Sequence, residues 1–170
     1  MSISGKVTQH CNGLKLLKMQ AVIAITQKPQ IQIKKVYPHS IERVWKAITT
    51  KDALSEWLMP TMDFELLQGC VFQFKTKPQG NFDGVVNCEI IRIDAPNLIA
   101  YSWSAKGFKQ PTVVTWQLVS LSKNETSLTL SHNGFVGFNG WVTKQILNFG
   151  WRGILRKKLT SFLNIQNDLS

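Results

Sequence analysis

The stretch IKKVYPHSIERVWKAITTKDALSEWLMP, residues 33–60, decides the fold. Leading into it, Ile31, Ile33 and Lys35 alternate with Gln32, Lys34 and Val36, the two-residue period of a strand, and Tyr37-Pro38 ends the run. The period then changes. Ser40 is a good N-cap, Glu42 suits the positive first turn of a helix, and Ile41, Val44, Trp45 and Ile48 recur at helical spacing. A second short helix is expected from Lys51 to Leu58, with Leu54, Trp57 and Leu58 on one face and Pro60 stopping it.

Working outward, the period returns to two. Cys70, Phe72 and Phe74 alternate with Val71, Gln73 and Lys75, and Pro78-Gln79-Gly80-Asn81 supplies turn chemistry. A strand follows from Phe82 to about Ile93, with Gly84 where a sheet can bend, and Asp94-Ala95-Pro96-Asn97 turns the chain. Leu98 to Ser104, Thr112 to Leu121 and Thr126 to His132 complete a series of five or six short strands, the pattern of an antiparallel meander. The last element is a long helix from about Asn139 to Leu163. Leu147, Trp151, Leu155, Leu159 and Phe162 form its apolar stripe, and Ile146, Phe149 and Ile154 are expected to widen that stripe in the first half. Gly150 and Gly153 each cost about 1 kcal/mol relative to alanine inside a helix. They mark either close packing against the sheet or room for a ligand beneath the helix.

The 170 residues suit one domain, and 44% hydrophobic against 18% charged residues is the composition of an ordered globule. Residues 31–166 are read as that domain, and residues 1–30, which show no sustained period, as an extension. The run Ala21-Val22-Ile23-Ala24-Ile25 is too short for the apolar core of a signal peptide, and no segment is long and apolar enough to span a bilayer. The net charge of +10 raises nucleic acid, anionic membrane or an acidic protein as partners. The lysines and arginines are scattered, however, and the densest cluster, Arg156-Lys157-Lys158, spreads over more than one helix face, so no specific nucleic-acid site is expected. Cys11, Cys70 and Cys88 form no CxxC pair and their number is odd, which makes a reducing cytoplasm the natural setting.

The order of elements, strand, two short helices, antiparallel meander and long terminal helix, resembles the helix-grip, START-like or SRPBCC, superfamily. Residues 33–60 are similar to the opening of the domain shared with the activator of the heat-shock-protein-90 ATPase and its bacterial homologues. Further matches are Gly69 with Phe72 and Phe74, Gly84-Val85-Val86, DAPNLIAYSW (94–103), TSLTLSHNGF (126–135) and GWRGILRKKLTSFL (150–163). Two positions depart from the pattern: the usual tryptophan doublet is Trp57-Leu58, and a glycine pair is Gly69-Cys70. The resemblance implies an α+β fold, a curved antiparallel sheet of six or seven strands wrapped around the terminal helix, and a pocket between them. It supplies no substrate, because fold does not fix function.

Catalytic chemistry is hard to find in this chain. His10 lies in the extension, His39 follows Pro38, and only His132 falls at a strand end facing the expected cavity, where a lone imidazole without a placed partner does little. There is no HxxxH, no CxxC and no carboxylate cluster, so neither metal nor cofactor is expected. The segment NGFVGFNG (133–140) lacks phosphate-loop and dinucleotide spacing and reads as a loop at the cavity mouth. The aromatic residues say more. Period-two alternation places Phe72 with Phe74, Tyr101 with Trp103, and Leu130 with His132 on common faces, and Trp116 lies among apolar neighbours on its own strand. With Trp57 from the second helix and Phe149 and Trp151 from the last, these residues outline an aromatic chamber, of which Ser102 and His132 are the polar groups. An ordinary filled core is the alternative. The expected function is non-enzymatic binding of a hydrophobic or amphipathic small molecule, a lipid or an aromatic metabolite. A co-chaperone-like module meeting an acidic protein partner is the alternative, and a cyclase- or hydratase-like enzyme working through His132 is the weaker one.

Overall fold

The computed structural model describes residues 30–165. The extension therefore lies outside the described residues except for Gln30, as does Gln166 at the other boundary of the expected domain. Strand β1 (Ile31–Tyr37) leads into helices α1 (Ile41–Thr49) and α2 (Lys51–Trp57). Strands β2 (Thr61–Met62), β3 (Val71–Lys75), β4 (Val85–Asp94), β5 (Leu98–Ala105), β6 (Thr112–Ser122) and β7 (Glu125–Asn133) follow. The chain closes with α3 (Gly137–Gly153), a π turn (Ile154–Lys158) and α4 (Leu159–Ile165), a single run of helical backbone.

The seven strands form one antiparallel sheet in the order β1-β7-β6-β5-β4-β3-β2. The meander runs from β2 to β7, and β1 is added beside β7 with Ile33 opposite Leu130 and Ile31 opposite His132. Period-two strands must place one set of side chains on the concave face, and Phe72, Phe74, Ile90, Tyr101, Val114, Trp116, Leu128 and Leu130 are all buried there in one cluster with helix residues. A bulge between Ile90 and Arg92 breaks the β4–β5 register. Just before that break the hydroxyl of Ser102 accepts a hydrogen bond from the Glu89 backbone N–H at 2.8 Å. Ser102 thus points away from the chamber face carried by Tyr101 and Trp103, contrary to its expected ligand-orienting role.

Local signals at the first helices hold. Ser40 caps α1 by accepting from the Arg43 N–H, and Ile41, Val44, Ala47 and Ile48 form its buried face. Trp57, at the end of α2, donates its indole N–H to the Ala47 carbonyl at 2.8 Å and so locks α2 against α1. At Gly84, φ is +82° and a Cβ would stand 2.3 Å from the Thr76 carbonyl oxygen, so only glycine admits this approach of two backbones.

The terminal helix departs from expectation in three respects. It starts at Gly137, which shortens the expected mouth loop. Of the 17 residues of α3, Trp151 alone is buried. Ile146 and Phe149, expected on the core stripe, are 66% and 84% exposed. The reason is geometric: at about 100° per residue, two positions separate Phe149 from Trp151 by more than half a turn, so both cannot face the sheet. Nor do Gly150 and Gly153 serve close packing, since a Cβ at either meets nothing within 4 Å.

Beyond Gly153 the helix widens, and the Leu159 N–H reaches back five residues to the Ile154 carbonyl. A π turn displaces neighbouring carbonyls from ordinary pairing, and here β1 supplies the donors. Tyr37 donates its hydroxyl to the Leu155 carbonyl at 2.8 Å, and the Lys35 ammonium reaches the Leu155 and Arg156 carbonyls at 3.3 Å as well as the Thr160 hydroxyl. Further on, Arg43 donates to the Leu163 carbonyl at 2.7 Å, and the His39 ring pairs with Asn164.

Candidate functional site

Nine of the ten residues expected to line the chamber come together, and Phe149 does not. Their rings meet largely edge to face, the arrangement the aromatic quadrupole favours, at about 0.5–1.5 kcal/mol per pair beyond simple burial. Phe72 stands 5.3 Å from Phe74 and 5.5 Å from Tyr101 between centroids, and Phe74 is 5.6 Å from Trp103. Trp151 lies 5.3 Å from Trp103 and 5.6 Å from Trp116, and Trp116 is 6.1 Å from Trp57. Side chains of sheet and helix thus meet across the space between them.

The chamber's polar atoms are paired internally. Trp116 donates its indole N–H to the Tyr101 hydroxyl at 2.7 Å. Trp151 donates to His132 Nδ1 at 3.1 Å, while His132 Nε2 lies 2.8 Å from Thr112 Oγ1. The Thr112 hydroxyl proton is committed to the Trp103 carbonyl at 2.9 Å. Its oxygen therefore accepts, His132 carries its proton on Nε2, and one chain of bonds runs from α3 through β7 to β6 and β5. His132 is fully buried, and loss of solvation lowers its pKa to about 3. A neutral imidazole with both nitrogens engaged joins helix to sheet and has no proton to exchange with a substrate while Trp151 stays in place. Burial likewise raises the Cys88 thiol and the Tyr101 hydroxyl far above their ordinary ranges, so neither is an activated nucleophile.

Thr112 and Phe135 are the site residues that sequence patterning missed. Thr112 becomes His132's partner through the β6–β7 register, which sets Val114, two residues along the same face, opposite His132. The Phe135 ring lies 4.7 Å from the His132 ring, tilted against it by 52°, and closes the rim. Gln30 fixes this rim from the other side: its side-chain oxygen accepts from the Gly134 and Phe135 N–H groups, and its amide donates to the Phe135 carbonyl. A cleft of about 30 Å³ opens there between Phe108, Gln110, Thr112, Phe135 and Gly140. It has room for a water or two but not for an organic ligand, whose pockets run to about 300 Å³ or more. Among the described residues no group of three or more His, Cys, Asp or Glu is placed to hold a metal.

A curved antiparallel sheet with two helices after its first strand and a terminal helix over its concave face defines the helix-grip, START-like class. The family model for Activator of Hsp90 ATPase homolog 1-like protein matches residues 38–164, and the chain belongs to that family. No curated protein matches the chain. Among solved structures, MLL2253 from Mesorhizobium loti is similar at a TM-score of 0.65 and 22% identity, covering 78% of this chain and 96% of that one. The Aha1 dimer from Colwellia psychrerythraea is similar at 0.62 and 16%, covering 74% and 89%. PFC0360w, an HSP90 activator from Plasmodium falciparum, is similar at 0.61 and 21%, covering 82% and 97%. At such identities the likeness concerns the fold.

Proposed function

We propose that this domain is a non-enzymatic binding module that admits a hydrophobic or amphipathic small molecule, a lipid or an aromatic metabolite, to the aromatic chamber when the first half of α3 lifts. One observation carries the reading: α3 closes the chamber through a single buried side chain, Trp151, held by one hydrogen bond to His132. Lifting it exposes Trp103, Trp116 and His132 together, an apolar surface with a polar group to orient the guest. Burial of the guest drives binding at about 25 cal/mol per Å² of apolar area. The free thiols of Cys70 and Cys88 accord with a cytoplasmic setting for this role.

The test is a thermal-shift and tryptophan-fluorescence screen of the full chain against lipids and aromatic metabolites, repeated on Trp151→Ala. Binders are expected to raise the melting temperature of the native chain and to change rank in the variant. A panel that shifts neither protein contradicts the reading. A second reading, a co-chaperone-like module for an acidic protein, is favoured by the carboxylate-free run from Thr126 to Ile165, which carries five lysines and arginines. Such association weakens as salt rises.

A further inference from the structure

The first half of α3 carries a second apolar face, turned away from the sheet. Phe138, Val142, Ile146 and Phe149 follow one another at three- and four-residue steps, and Trp141 lies three residues from Phe138, which puts all five along one side of the helix. Phe138, Ile146 and Phe149 are 66% to 84% exposed and Trp141 is 55% exposed, and the Phe138 and Trp141 rings stack on each other at 6.2 Å. Soluble domains rarely leave such a stripe to water without a use for it.

The surroundings of the stripe are cationic. Lys144 lies one turn from Trp141, and Arg152 one turn beyond Phe149. Arg152 also lines a groove of about 450 Å³ between β1 and the helix, together with Ile33, Lys34, Lys35, Leu155 and Arg156. Four of these six side chains are cations and none is an anion, and no aspartate or glutamate occurs from Thr126 to Ile165. Aromatic residues on one flank of a helix with lysine and arginine beside them are the composition of helices that lie in a bilayer interface.

We propose that this face docks on an anionic lipid surface, with Phe138, Trp141, Ile146 and Phe149 entering the acyl boundary and Lys34, Arg152 and Arg156 of the groove receiving phosphate-bearing headgroups. Charge selects this occupant over two others. A second copy brings the same cations against themselves. Residues 1–29 contain Lys6, Lys15, Lys18 and Lys28 with no carboxylate, so this chain's own leading segment brings no complementary charge. The docking face is separate from the chamber, which the opposite side of α3 closes through Trp151.

The experiment is co-sedimentation of the full chain with phosphatidylcholine vesicles and with vesicles in which about a third of the lipid is phosphatidylglycerol, read alongside the tryptophan emission maximum. Partition onto the anionic vesicles is expected to exceed that onto neutral ones by about tenfold or more, with a blue shift from Trp141 and a steep loss as salt rises. The exposed pair Ile146→Glu with Phe149→Glu is expected to lose about tenfold or more while melting like the native chain. Arg152→Glu with Arg156→Glu is expected to abolish the preference for phosphatidylglycerol. Three results overturn the proposal: equal partition onto both vesicles, partition unmoved by the Ile146 and Phe149 changes, or a loss seen only with Lys15→Glu and Lys18→Glu. A dimer in the absence of lipid that dissolves in the Phe149→Glu variant also overturns it, since the face then belongs to a second copy.

Discussion

From Trp151 onward the terminal helix is tied to the body at nearly every turn, whereas the fourteen residues before it are tied at almost none. In the second half, Leu155, Leu159, Phe162 and Leu163 are buried, and Tyr37, Lys35, Arg43 and His39 bond to backbone or side chain along its length. In the first half, Leu147 is partly buried and Phe138, Trp141, Ile146 and Phe149 face solvent. Helix propensity alone does not make this division, because both halves contain good helix formers and both contain glycine at their junction. Packing makes it. The second half belongs to the core, and the first is an overhang whose apolar residues serve something other than folding.

The comparison can be broken most forcefully at its hinge. Trp151→Ala removes the one buried side chain of α3 and leaves His132 Nδ1 without its donor. It is expected to lower unfolding free energy by about 3–5 kcal/mol in urea titration, as large core truncations do. A loss below about 1 kcal/mol means that the helix is not sealed there.

His132 gives the next largest effect, through pH. Its pKa in the fold is about 3 against an ordinary 6.5, so the unfolded chain binds a proton that the fold refuses. Its contribution is complete above about pH 6.5 and is lost progressively as pH falls toward 3, at up to about 1.4 kcal/mol per pH unit. Subtracting the pH profile of His132→Gln from that of the native chain isolates this slope, and equal slopes between pH 4 and 6 contradict the burial of a neutral ring.

Tyr37→Phe sharpens the comparison on the anchored side. It deletes one of the donors to the Leu155 carbonyl while Lys35 and Thr160 remain, and is expected to cost about 1–2 kcal/mol in the same titration. Phe149→Ser, on the overhang, is expected to change stability by no more than about 0.5 kcal/mol. A larger loss returns Phe149 to the core.

The strands were readable because period two survives without any knowledge of partners: Phe72 with Phe74, Tyr101 with Trp103, and Leu130 with His132 each fall on one buried face. Residues 33–60 were equally readable, because Ser40, Pro38 and Pro60 bound elements by local stereochemistry. The first half of α3 was not. It is apolar on two sides, so spacing supports two phases, and only contact with the sheet selects Trp151 over Phe149. Thr112 was hidden for a related reason, since strand pairing across β6 and β7 brings it to His132. β2, two residues long, is too short to show a period. The π turn leaves no mark in the sequence, because its freed carbonyls are met by β1 residues more than a hundred positions away.

Native-state hydrogen exchange along residues 139–163 compares the two halves directly. The account predicts that amides from Leu155 to Leu163 exchange only through global unfolding, while those before Trp151 open locally at a much smaller free energy. Uniform protection along the whole helix contradicts it, for then the overhang is as firmly held as the anchor.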